Sequence, residues 1–268
     1  MTPVPLSTDI ADFTRRDFTF RGRTKPVLCL GDLGPAVIVI HEVYGFTPPL
    51  ARFCRWIVAA GMRVYAPILL GKPDAGNTNH LGAVGILRLC VSREFTLFRA
   101  GKSSPVVDWL KPLARQAHEE CGGPGVGVIG MCLTGGFALS MAVEPVVLAP
   151  VMSQPSLPVG KQSELDISAA DLAVVQRRAA DEGLTVRGYR FEGDTLARHE
   201  KFITLERAFG TAFCGTELPD SAGNPAGMIS EGKPPHSVFT RDLIDADGEP
   251  TRQAADEVIA HFQSVLGI

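Results

Sequence analysis

Three side chains, in the order Cys132, Asp194 and His236, carry the chemistry that this sequence most directly suggests. A thiol attacks a carbonyl as the thiolate, so it needs a base to take its proton, and the base needs a carboxylate to fix its tautomer. Nucleophile, acid and histidine follow one another in that order in one of the known triad arrangements, the one that sets its nucleophile on a strand-to-helix turn. Asp194 and His236 are 42 residues apart. His199 also lies late in the chain, but within a stretch expected to be helical. Asp194 could also serve simply to cap a turn.

Cys132 has the most telling surroundings. The segment Gly125-Val-Gly-Val-Ile-Gly130-Met-Cys132-Leu-Thr-Gly135-Gly136-Phe-Ala-Leu-Ser-Met begins as a buried strand and ends as a helix with an apolar face through Leu133, Phe137 and Met141. A residue on such a tight turn takes strained backbone angles and needs small neighbours. The following helix N-terminus favours the thiolate. Gly130 fills position −2 as expected, whereas Thr134 fills +2, and the glycines come one residue later. The other cysteines, Cys29, Cys54, Cys90, Cys121 and Cys214, read as small buried hydrophobes.

Positioning these groups takes strands alternating with helices. Ala36 to Ile40 is a continuous apolar run, as in a strand buried on both faces. Thr47 and Pro48 open a helix that Gly61 closes, and a strand over 62–70 follows. Ser104-Pro105 starts the next helix. A strand from Val146 to Val151, a capped helix from Ser168 to Glu182, a strand over 185–191, a helix over 198–209 and a last helix from near Thr251 complete the pattern. Such alternation predicts an α/β fold with a mostly parallel central sheet and helices on both faces. Sites then form at the carboxyl ends of the strands, where Glu42, Cys132, Asp194 and His236 converge. Residues 1–16 read as an N-terminal arm and 17–268 as a single domain. Residues 71–92 combine a loop with a helix over 81–90. Residues 210–235 have no period but many apolar side chains, which predicts a lid loop over the site.

Composition narrows the classes. Of the 268 residues, 45% are hydrophobic and 21% charged, and the net charge of −3 argues against nucleic-acid binding. No apolar run of about eighteen residues suggests a membrane span. The first residues lack a signal core and the six cysteines show no disulfide spacing, so a cytoplasmic protein is expected. No Cys-x-x-Cys or His-x-x-x-His pair points to a metal. Composition and patterning leave the oligomeric state open.

His41-Glu42-Val43-Tyr44-Gly45 after a strand, Gly130-Met-Cys132-Leu-Thr-Gly-Gly136 at the elbow, Gly193-Asp194 after a late strand and His236-Ser237 before the last helix together resemble the dienelactone hydrolase family, over roughly residues 18 to 267. The resemblance implies an α/β-hydrolase without a cofactor, acting on a small ester or lactone. Cys132 would be the nucleophile, His236 the base and Asp194 its partner. Glu42 would contact the resting cysteine, although by position alone it could also cap the following helix or pair with an arginine. The backbone N–H groups of Val43 and Leu133 would form the oxyanion hole. Arg93 and Arg241 are the candidates for binding a substrate carboxylate. A thioester acyl-enzyme would follow, and reversion by the good thiolate leaving group favours enol esters over amides as substrates. The rival reading is a thiol-bearing binding or redox-sensing protein on the same fold. It would be favoured if Cys132, Asp194 and His236 lay apart.

Overall fold

A computed structural model describes residues 10–71, 100–227 and 233–268. The expected helix over 81–90 lies outside the described residues, as does Arg93.

Eight strands form one sheet: β1 (Thr14–Phe20), β2 (Arg23–Leu30), β3 (Ala36–Ile40), β4 (Arg63–Pro67), β5 (Val126–Met131), β6 (Val147–Ser153), β7 (Val186–Phe191) and β8 (Phe213–Leu218). Their spatial order is β1-β2-β4-β3-β5-β6-β7-β8. The β1–β2 and β2–β4 pairs are antiparallel and all others parallel. Among the described residues the helices are α1 (Pro48–Ala59), α2 (Val107–Cys121), α3 (Gly135–Met141), α4 (Ala169–Glu182), α5 (His199–Phe209) and α6 (Pro250–Leu266).

Burial explains why β3 is apolar throughout. Val37 and Val39 point into the core layer shared with α1 and α6, whereas Ala36, Ile38 and Ile40 point into the layer shared with α2, α3, α4 and α5. Side chains alternate faces along a strand, so a strand covered on both sides must be hydrophobic at every position. Each such Val or Ile contributes about 1.5–3 kcal/mol by leaving water. In α4, Ser168 Oγ accepts from the Asp171 N–H at 3.1 Å, as the capping pattern predicts. The return bond is supplied from outside the helix, since the Ser168 N–H donates to Ser103 Oγ at 3.2 Å. Thr47 precedes α1 without a side-chain cap bond.

Three expectations need correction. The strand after α1 is shorter than 62–70 and ends at Pro67, beyond which the Ile68 N–H turns to the Pro26 carbonyl. The N-terminal arm does not reach residue 16: Phe13 is buried edge-on against Phe46, and β1 begins at Thr14. The stretch over 210–235 is not one lid loop, because Phe213–Leu218 is the parallel edge strand β8. Its period is masked at Gly215, which lies on the same face as Phe213. A methyl at Gly215 would come within 2.9 Å of the Phe213 ring, and that ring packs edge-on against Phe202. The inward side chain expected at 215 is absent because Phe213 fills its place. No helix among the described residues is long and apolar enough to cross a membrane.

Candidate active site

The carboxyl ends of the parallel strands assemble the site, with Glu42 following β3, Cys132 β5, Gln154 and Ser156 β6, Asp194 β7 and His236 the segment after β8.

Cys132 sits on the strand-to-helix turn with φ of 58°, in the left-handed region that a side chain rarely adopts. The neighbours make this turn possible. A methyl at Gly130 would overlap the Thr134 carbonyl oxygen, one at Gly135 would lie 2.7 Å from Pro155 Cα, and one at Gly136 would overlap the Asp166 carboxylate. Position +2, where glycine was expected, has φ of −97° and ψ of 0°, which suit any residue. Thr134 is fully buried there, and its hydroxyl works as a tie. Oγ1 accepts from the Met131 N–H at 2.9 Å, and its one proton lies among the carbonyls of Met131 (2.9 Å), Ile40 (3.1 Å) and His41 (3.2 Å). The elbow is thereby joined to the end of β3.

His236 and Asp194 are both buried, with Nδ1 and Oδ2 2.6 Å apart. The other carboxylate oxygen of Asp194 accepts from the N–H groups of Leu196 (2.8 Å) and Ala197 (3.2 Å). That fixes the carboxylate, which in turn places the imidazole proton on Nδ1 and leaves Nε2 as the free base. Nε2 is buried and has no other hydrogen-bond partner among the described residues. Burial pushes the imidazole's pKa down, but Asp194 and the charge of Cys132 outweigh it and hold it well above its ordinary value. The turn carrying His236 is pinned by Asp242, whose Oδ2 accepts from the N–H groups of His236 (2.8 Å) and Ser237 (2.7 Å).

Glu42 is buried beside this pair but does not hold the sulfur. Its Oε1 accepts from Gln154 Nε2 (2.8 Å) and Thr240 Oγ1 (2.9 Å), and its Oε2 from Ser237 Oγ (3.0 Å). These three donors are its hydrogen-bond partners among the described residues, and Cys132, which the resemblance places against it at rest, is not one of them. Burial raises its pKa, opposed by His236, Arg241 and the hydroxyl donors. His41 next to it is a strut: Nε2 accepts from the N–H groups of Leu69 (2.9 Å) and Leu70 (3.2 Å), and Nδ1 lies 2.6 Å from the Glu42 carbonyl. The ring must therefore be neutral with its proton on Nδ1, and burial lowers its pKa to about 4.

Arg241 approaches the same region. Its Nη1 donates to the Tyr44 hydroxyl at 3.1 Å, its plane lies over the Tyr44 ring, and the buried Nη2 has no partner among the described residues. Val43 and Leu133 follow the ends of β3 and β5. His199, the competing histidine, lies away from this cluster with Nδ1 2.6 Å from Glu217 Oε1. The five described cysteines are free, and burial raises the pKa of Cys29 to about 11 and that of Cys54 further. Among the described residues no cluster of His, Cys, Asp and Glu could hold a metal ion.

Sequence reasoning missed Gln154, Ser156, Thr240 and Asp242. The available signal was position: Ser153-Gln154-Pro155-Ser156 follows a buried strand at its carboxyl end. Gln154 has φ of 33°, and this turn aims its amide at Glu42.

The model of the dienelactone hydrolase family matches residues 31–175. No curated protein matches the sequence significantly. Among solved structures, a dienelactone hydrolase-like promiscuous phosphotriesterase from metagenomic libraries is similar with a TM-score of 0.63 and 18% identity, covering 96% of this chain and 100% of that one. The dienelactone hydrolase of Anabaena variabilis is similar with a TM-score of 0.59 and 12% identity, over 95% of this chain and 99% of that one. An α/β serine hydrolase without a lid from Xanthomonas campestris has a TM-score of 0.56 and 8% identity, over 96% and 97% of the two chains. Likeness at such identities speaks to the fold, which is that of the α/β-hydrolases.

Proposed function

The chain belongs to the dienelactone hydrolase family and is a hydrolase acting on ester bonds, and from this premise we propose that it cleaves small carboxylic esters or lactones with Cys132 as nucleophile. The observation that carries the reading is the buried Asp194–His236 pair at 2.6 Å, whose remaining nitrogen has no hydrogen-bond partner among the described residues while Cys132 acts electrostatically on the ring.

His236 Nε2 takes the thiol proton, and the imidazolium that forms is stabilised by Asp194. The thiolate adds to the ester carbonyl, and the backbone N–H groups of Leu133 and Val43 receive the oxyanion. Collapse expels the alcohol or enol, protonated by His236, and leaves a thioester on Cys132. Water activated by His236 then releases the acid. Glu42 contributes by its charge near His236 rather than by holding the sulfur. The unpartnered Nη2 of Arg241 supports a contact with a carboxylate on the substrate. An enol leaving group suits this nucleophile because its conversion to a ketone prevents reversal. No cofactor enters these steps. A single domain running from β1 to α6 fits the continuous sheet.

The test is turnover of an activated ester and of an enol lactone by Cys132→Ala and Cys132→Ser, with mass spectrometry to trap a thioester on Cys132. The alanine variant should be inactive and folded, and the serine variant much weaker than wild type. Full activity in the alanine variant, or an acyl group on another residue, would refute the reading.

A further inference from the structure

We propose that Ser156 is the hydrogen-bond donor that stabilises the Cys132 thiolate, a role that rests on the reading of Cys132 as nucleophile and deepens it. Ser156 lies on the loop after β6, buried against the elbow. Its Oγ is 3.7 Å from Cys132 Sγ and 3.0 Å from the Gln154 carbonyl oxygen. A hydroxyl has one proton, so it serves one of these acceptors at a time. Beside a neutral thiol, the carbonyl is the better acceptor. Once the sulfur is charged, the bond to it is the stronger one, and a rotation about the Cβ–Oγ axis redirects the proton. The donor is therefore available when negative charge appears on sulfur and is otherwise satisfied.

The backbone keeps the hydroxyl in place independently. The Ser156 N–H donates to the Cys132 carbonyl at 3.0 Å, and Gly135 in the first turn of α3 packs on Pro155. Removing the hydroxyl thus leaves the loop anchored. The charged groups around the sulfur are His236 with Asp194 behind it, and Glu42 with Arg241 across the site. Asp166 packs against Gly136 of α3, and Lys201 beside it donates to the carbonyl of Leu157, the residue after Ser156. All of them remain when Ser156 is changed.

The experiment measures the rate of iodoacetamide labelling of Cys132 against pH, read by mass spectrometry, in wild type, Ser156→Ala and Ser156→Thr. Loss of a hydrogen bond to a charged group should move the midpoint of the alanine profile upward by about one pH unit. Below the midpoint, kcat/KM for an activated ester should fall about tenfold in the alanine variant. Threonine keeps the donor and should hold the wild-type midpoint. An unchanged midpoint in the alanine variant overturns the proposal, and so does a shift that threonine fails to restore, since that would mark a packing role. Labelling reads the sulfur's ionisation without turnover. Activity surviving in Cys132→Ala would therefore sink the nucleophile reading while leaving the Ser156 result to stand or fall separately.

Discussion

Thr134→Val isolates the tie between the elbow and the strand beside it. Valine has nearly the same shape, so the change removes two hydrogen bonds without opening a cavity. The hydroxyl accepts from the Met131 N–H at 2.9 Å and gives its proton to one of three carbonyls within 3.2 Å. The site is fully buried, so water cannot replace either bond. Each net bond is worth about 1 kcal/mol, and a buried group left unpaired costs about 1–3 kcal/mol. A loss of about 2–3 kcal/mol is expected, which at this size lowers Tm by about 4–12 °C. Activity should fall as well, because the tie joins the turn carrying Cys132 and Leu133 to the carbonyls of Ile40 and His41, shortly before Val43. A shift of about 1 Å in one oxyanion donor costs up to about a hundredfold in rate. Thr134→Ser keeps the hydroxyl and serves as the control. Urea denaturation and kcat on an activated ester measure the two effects. If valine unfolds within about 0.5 kcal/mol of wild type, or serine is as damaged as valine, the tie is not what holds the elbow.

Two further outcomes follow from the same geometry. Gly130→Ala places a methyl against the Thr134 carbonyl, a backbone atom that cannot yield without unwinding the turn. It should cost about 3 kcal/mol or more and abolish ester turnover, and a denaturation midpoint near wild type would contradict that packing. His41, with its pKa lowered to about 4, binds fewer protons in the folded than in the unfolded state between pH 4 and its ordinary value of 6.5. Its contribution is therefore complete above about pH 6.5 and is lost as pH falls toward 4, by up to about 3 kcal/mol. His41→Asn should show a shallower acid-side loss in urea midpoints than wild type, and an equal slope would refute the neutral-strut reading.

Local chemistry was enough to read much of this protein from its residues. The apolar run of β3 and the Ser168 cap each depend on neighbours a few residues away, and so does the elbow around Cys132. The order of Cys132, Asp194 and His236 placed them at the same edge of the sheet, because parallel strands end on one side. Other features required contacts between distant segments. The strand β8 was hidden because Gly215 yields its inward place to Phe213, a fact visible only once Phe202 packs across it. Thr134 looked like a departure from the elbow pattern because its partners, Ile40 and His41, lie more than ninety residues earlier. Glu42 was read onto the sulfur, yet Gln154, Ser237 and Thr240 take up its oxygens from two other segments. Residue type and spacing determine which groups can react, whereas the bonds that turn each group toward or away from the sulfur form only when loops after different strands close on one another.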